Sequence, residues 1–488
     1  MRLRALLLVS TFALTGCTAI EGLTPSPTPT TAIEEQTLDW ADCNDGFECA
    51  KIFAPLDWSE ETGEFVQIQL MRKIGTSELP PILVNPGGPG SSTTKWLRDG
   101  YETVGTDWLR QNFQVLAFDP RGVGESTAVE CSDDQLKDEL LYGQSSFAYG
   151  SAEDIQFSKD SMNKFAESCQ ESGPSLGYFN TQQTAHDMEL IRVLFGQDQL
   201  NFLGFSYGTE LGATYAALFP DRVGKFVLDG ATDPTIDPGS QLLGQVKGFD
   251  KALRAYLTAC IPQQACPFTG DVDSAMNVIA SFLQARETVP LPTDSERTLG
   301  IQPAIAGMIV TLYSQQSWAY LSQAFDGAFD GDGTIFMLLA DFYNDRNPDG
   351  GYISNINEAN YAISCADRAV QPARKDLTKE ITEASVVFGR YFSYPDISCT
   401  GWPAGIGMQD LNFKVELANQ PMIVGTTGDP ATPYEQAQKL AELLGGKLLT
   451  LQGEGHTAYG SNGCVNSLVD AYLEGTDLGT GNLNCLQR

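Results

Sequence analysis

From Leu38 onward, short apolar runs alternate with helical patterns, and each run ends in a turn rich in Gly or Asp. Phe65 to Leu70 alternates apolar and polar positions, which predicts an edge strand. Pro81 to Asn85 runs into Pro86-Gly87-Gly88-Pro89-Gly90, and Phe113 to Phe118 runs into Asp119-Pro120-Arg121-Gly122. Leu200 to Phe205 meets Ser206 and then a helical stretch, Thr209 to Leu218. Lys225 to Leu228 ends at Asp229-Gly230, Met422 to Val424 leads to Gly428-Asp429, and Lys447 to Leu451 leads to Gly453-Glu454-Gly455-His456. Strands alternating with helices predict the α/β class, with a mostly parallel sheet and helices on both faces. Polar residues just past the carboxyl ends of such strands mark the expected site.

The rhythm breaks between residues 232 and 420, where the chain is helix-like and rich in Gln, Ala and aromatics such as Trp318, Tyr320, Phe325 and Phe329. Return of the strand pattern at residue 421 predicts a large, mainly helical cap inserted into a sheet domain made of residues 38–231 and 421–488. The rival organisation is an independent domain.

The first residues carry a different signal. Met1-Arg2-Leu3-Arg4 is basic, and the apolar run Ala5 to Leu14 is too short to span a bilayer. This predicts a signal peptide over 1–16. Leu14-Thr15-Gly16-Cys17 resembles the lipobox of bacterial lipoproteins, which implies cleavage before Cys17 and acylation of that residue, palmitate included. Residues 17–37, with Thr24-Pro25-Ser26-Pro27-Thr28-Pro29-Thr30-Thr31, read as an extended tether. The expected location is therefore exported and membrane-anchored by lipid, facing the cell exterior or envelope.

Composition sharpens this. Hydrophobic residues make up 42% of 488, enough for a sizeable core. Setting Cys17 aside leaves an even set: Cys43, Cys49, Cys131, Cys169, Cys260, Cys266, Cys365, Cys399, Cys464 and Cys485. In an exported chain these read as disulfides, with Cys43–Cys49 and Cys260–Cys266 the simplest pairs. With no CxxC and two His, a metal site is disfavoured, and no organic cofactor is implied. The net charge of −32 becomes −34 once Arg2 and Arg4 leave with the signal, which argues against nucleic acid as a partner.

Gly204-Phe205-Ser206-Tyr207-Gly208 matches GxSxG between a strand and a helix. That context predicts a nucleophile elbow, in which a tight turn lifts Ser206 above the sheet and glycines avoid clashes with neighbouring strand and helix. A serine hydroxyl needs a base. His456 follows a late strand, in the order Ser, Asp, His expected of such enzymes, whereas His186 precedes the serine and reads as structural. The acid that orients the base is expected at Asp429, with Asp229 the runner-up. Asp119 is expected to brace its own turn together with Arg121. Oxyanion donors are expected from the Tyr207 backbone N–H and the Gly87-Gly88 loop.

Taken together, Asn85-Pro86-Gly87-Gly88-Pro89-Gly90, Asp119-Pro120-Arg121-Gly122-Val123-Gly124 and Gly204 to Thr209 resemble the prolyl aminopeptidase-like serine peptidases of the α/β-hydrolase superfamily. Similarity is closest to the secreted tripeptidyl aminopeptidases of actinobacteria. The segment from Gly428-Asp429-Pro430 through Gly455-His456 resembles their C-terminal domain, and the likeness covers Leu38 to Cys485. The resemblance implies an α/β-hydrolase fold, a triad of Ser206, Asp429 and His456, and oxyanion donors at Gly88 and Tyr207. It also implies acidic residues that bind the free amino group of a peptide substrate, with Glu210 the candidate. Pro86 stands where prolyl aminopeptidases often carry His, which argues against release of single prolines. The expected function is removal of short peptides, tripeptides foremost, from free N-termini of peptides or proteins. Rival readings are a cell-envelope esterase or lipase using the same triad, and a binding lipoprotein without activity.

Overall fold

A computed structural model describes residues 33–60, 63–131, 134–170, 176–368 and 376–487. The signal segment, Cys17 and the Pro/Thr-rich run lie outside the described residues. The strands are β1 (Ala41–Asp42), β2 (Phe47–Pro55), β3 (Phe65–Lys73), β4 (Pro81–Asn85), β5 (Gln114–Phe118), β6 (Leu200–Phe205), β7 (Val223–Asp229), β8 (Leu291–Pro292), β9 (Thr298–Leu299), β10 (Met422–Gly428), β11 (Lys447–Glu454) and β12 (Leu483–Leu486). Ten of them form one sheet in the order β1-β2-β3-β5-β4-β6-β7-β10-β11-β12, and β8 with β9 makes a separate antiparallel pair. β1, β2 and β3 pair antiparallel with their neighbours, and from β5 to β12 the pairing is parallel.

The edge reading of β3 does not hold. It lies between β2 and β5, and its burial extends to both faces. The true edges are β1 and β12.

Chain order reverses between β4 and β6. β4 leads to β5 on one side and, later, β6 pairs on the other, with Asn85 opposite Gly204. Loops leaving two such strands diverge and open a crevice at their carboxyl ends, the usual ligand position in open α/β sheets. The Gly87-Gly88 loop and Ser206 both leave from this point.

Separate hydrophobic clusters cover the two faces of the sheet. Between β7 and β10 the chain is mainly helical and holds a third cluster, in which Phe268, Phe282, Phe325 and Phe336 pack edge-on and stacked. The last part of this segment packs on the sheet instead: Ala359, Ala362, Ile363 and Trp402 join the core around β6. Five disulfides join Cys43–Cys49, Cys131–Cys169, Cys260–Cys266, Cys365–Cys399 and Cys464–Cys485. Ahead of β1, Gln36 pairs with both backbone groups of Phe53 on β2, so this stretch is seated on the sheet.

Arg121 and Asp187 are both fully buried. The guanidinium forks onto Asp187 at 2.8 and 2.6 Å and donates to the Leu56 and Pro55 carbonyls at 2.6 and 2.9 Å. Asp119 braces its own turn, accepting from Thr94 N and Glu125 N at 2.9 Å, but Arg121 takes no part in it. Removing one partner of a buried pair strands the other charge. Arg121→Met should therefore cost about 3–5 kcal/mol, read as a lower urea midpoint, and adding Asp187→Leu should restore much of the loss.

Candidate active site

The strand β6 ends at Ser206, and a helix runs from Tyr207 to Leu218. Ser206 has φ +53° and ψ −122°, a conformation costly for any side chain-bearing residue and held here by its surroundings. A Cβ at Gly204 would lie 2.4 Å from the Gly208 carbonyl, and one at Gly208 would lie 2.8 Å from the Asn85 carbonyl. Strand, turn and helix approach too closely for larger residues, which is why the motif needs both glycines. The Ser206 side chain does not cap its own helix, so the hydroxyl is left for other partners.

The ends of β7, β10 and β11 place the remaining groups near it. Ser206 N–H donates to the Asp229 carbonyl at 2.9 Å. One residue further, a Cβ on Gly230 would touch His456 Cε1 at 3.1 Å. The imidazole therefore sits over the strand end that Ser206 abuts.

His456 Nδ1 lies 2.9 and 2.8 Å from the two oxygens of Asp429, whose side chain is fully buried. A carboxylate only accepts, so Nδ1 carries the proton and Nε2 is free to take one. The Asp429 carboxylate is held in turn by Ala431 N and Thr432 N at 2.9 Å and by Thr432 Oγ1 at 3.0 Å. Burial pulls the His456 pKa down, but the charge and hydrogen bond of Asp429, aided by Asp229, outweigh it and leave the pKa raised.

Asp229, the other carboxylate considered, does not hold the ring. Its Oδ2 accepts from Ala458 N at 2.8 Å and Tyr459 N at 2.7 Å, bracing the loop just after His456. Its Oδ1 is buried without a partner among the described residues, and burial first of all pushes its pKa up to about 6. Thr457, between the base and this brace, has φ +63°.

On the other side, Gly87 and Gly88 have φ +102° and +112°, which glycine alone adopts readily. A Cβ on Gly87 would lie 3.0 Å from Ser206 Cβ and 3.2 Å from Tyr207 N. Gly87 N–H is taken by Asn85 Oδ1 at 3.0 Å. Gly88 follows it in the same loop.

Glu210 sits in the first turn after Ser206. Burial, then the charge of Asp367, pushes its carboxyl up to about 8. Asp367 accepts from Thr181 N at 2.8 Å and Thr181 Oγ1 at 2.6 Å, and that hydroxyl meets Tyr207 OH at 2.5 Å. Burial raises Asp367 to about 6. No cation contributes to the shift of either acid.

Asp367, Thr432 and Tyr313 were not found from sequence. Tyr313, just past the helix Ile301–Leu312, accepts from His456 N at 2.8 Å, and its ring lies 5.3 Å from the imidazole. His186 lies elsewhere, stacked on Trp58 at 5.7 Å and edge-on to Phe219 at 5.2 Å.

A strained serine at the sheet's switch point, beside a carboxylate-held imidazole, is the arrangement of one large enzyme class. The family model for the alpha/beta hydrolase fold matches residues 80–462, and the chain belongs to that family. Serine protease Hip1 of Mycobacterium tuberculosis (strain ATCC 25618 / H37Rv) is 32% identical over 474 residues, covering 90% of this chain and 89% of that protein. Carboxylesterase B of the same strain is 32% identical over 442 residues, covering 88% and 84%. Tripeptidyl aminopeptidase of Streptomyces coelicolor (strain ATCC BAA-471 / A3(2) / M145) is 29% identical over 471 residues, covering 90% and 84%.

A base works only when neutral, and a raised pKa keeps it protonated to higher pH. Activity should therefore fall as pH drops through a midpoint above the ordinary histidine value of about 6.5. Asp429→Asn should lower kcat by about ten-thousand-fold and move that midpoint down, as read from kcat/KM against pH.

Proposed function

We propose that the chain is a serine-type aminopeptidase that releases short peptides, tripeptides foremost, from free N-termini. Ser206 is the nucleophile, His456 the base and Asp429 the orienting acid. His456 Nε2 takes the Ser206 proton as Oγ attacks the peptide carbonyl, and the Gly88 and Tyr207 N–H groups hold the developing oxyanion. The protonated imidazole then delivers its proton to the leaving amine. Water, deprotonated by the same base, hydrolyses the acyl-enzyme.

The observation that carries the exopeptidase reading is the Glu210–Asp367 carboxyl pair one helical turn beyond the nucleophile. Two desolvated acids, with no cation among the described residues shifting either, resist full ionisation. A substrate ammonium group placed between them would supply the missing charge, and this rewards a free N-terminus. The relatives named serine protease and tripeptidyl aminopeptidase support the same reading. The relative named carboxylesterase B supports the alternative, a cell-envelope esterase or lipase using the same three residues.

Residues 232–420 serve as a cap that limits entry to short or flexible chains. The anchor is lipid on Cys17, with the folded part exported. Among the described residues no helix is long and apolar enough to cross a membrane.

Ser206→Ala should abolish fluorophosphonate labelling and turnover of tripeptidyl-arylamides. Persistent labelling would refute the nucleophile. Glu210→Gln should raise KM about tenfold or more for peptides with free amino ends, the scale of a lost charged hydrogen bond, and leave N-acetylated or ester substrates little changed. Faster turnover of acyl esters than of any peptide amide would favour the esterase.

A further inference from the structure

A cavity of about 430 Å³ lies under the helical segment, apart from the groups discussed above. Its walls come from the helix Ala152–Gln170, the stretch Tyr391 to Ser398, and the helix Ile356–Asp367 with Arg368 just beyond it. None of Ser206, Glu210, Asp367, Asp429 or His456 lines it. Its size suits a small organic ligand. Phe147, Tyr149, Phe157, Tyr361 and Tyr391 give it an aromatic interior. Phe147 and Phe157 line it while remaining 46% and 42% exposed.

The charges on its wall are unequal in their partners. Glu287 is neutralised by Arg390 at 2.8 Å and accepts from Tyr391 OH at 3.1 Å. Asp154 accepts from Gly150 N at 2.9 Å and from the Ser145 hydroxyl. Glu139 is exposed to solvent. Among the described residues Arg368 is the only cation on the wall. Its Nη1 reaches Ser398 Oγ at 3.0 Å and Cys399 Sγ at 3.3 Å, and no carboxylate among the described residues lies within ion-pair distance. Burial lowers its pKa, against weaker opposing effects of Asp396 and Tyr361, so the guanidinium is partly desolvated and forms no ion pair among the described residues. Nε and Nη2 donate to nothing among the described residues. A planar fork in that state is matched by a carboxylate, which accepts two parallel hydrogen bonds.

We propose that this cavity binds a ligand with an aromatic body and one carboxylate, the carboxylate paired with Arg368 and the ring set among Phe147, Phe157 and Tyr361. The chemistry fits a free aromatic acid or the carboxyl terminus of a short peptide. It does not depend on the peptidase reading, because no proposed catalytic group takes part.

Binding to the full chain is measured by calorimetry with 3-phenylpropionate, N-acetyl-Ala-Phe, and the amides of both. Each acid should bind at least tenfold more tightly than its amide, and Arg368→Gln should remove that preference. Tighter binding of the peptide acid would assign the cavity to peptide carboxyl termini; tighter binding of phenylpropionate would assign it to free aromatic acids. Prior phosphonylation of Ser206 should change neither affinity by more than twofold. If Arg368→Gln fails to fold, Phe157→Ala decides, since an exposed ring can be cut without unfolding the chain, and it should weaken acid and amide alike by threefold or more. Loss of less than threefold in both variants, equal binding of acid and amide, or loss of binding on phosphonylation would overturn the proposal.

Discussion

The hydrogen bond between the buried Asp429 carboxylate and His456 Nδ1 is the contact on which the site depends. It fixes the tautomer, leaves Nε2 unprotonated, and stabilises a positive charge if the ring takes a proton. Two adjacent parallel strands make it possible. β10 and β11 pair from Met422–Lys447 onward, so Asp429 and His456 leave neighbouring strand ends. The turn after β10 commits its own backbone to the carboxylate through Ala431 and Thr432, which keeps the acid from rotating away.

Around this contact the chain uses desolvated carboxylates in three ways. Asp429 holds a ring, Asp229 holds the backbone after that ring, and Glu210 with Asp367 forms a pair in which ionisation is opposed. The large negative charge of the chain does not explain any of these, because each depends on desolvation and on a particular partner. The helical segment also reaches the base directly. The Tyr313 carbonyl accepts from the His456 backbone N–H, and its ring lies beside the imidazole.

Much of this was legible in the sequence, for local reasons. The strands β4, β5, β6, β7, β10 and β11 are apolar runs closed by Gly or Asp turns, and both signals are local. GxSxG between strand and helix singled out Ser206, and scarcity of histidine together with chain order singled out His456. What stayed hidden depends on which elements become neighbours. The alternation in Phe65 to Leu70 says nothing of β5 lying alongside, so β3 reads as an edge. Arg121 meets Asp187, Asp367 meets Thr181, and Tyr313 meets His456 only once the sheet order and the return of the helical segment are set. Thr432 was within sight of Asp429, but a threonine three residues past an aspartate is common in turns and carries no mark of its second role.

Having two histidines makes the central claim directly measurable. Histidine-selective NMR of the full chain should show one imidazole titrating above the ordinary value and one below it, since burial lowers the pKa of His186. Phosphonylation of Ser206 should shift the first resonance strongly and leave the second in place. If both resonances ignore the modification, or if the one that moves belongs to His186, Ser206 and His456 do not work together and the account fails.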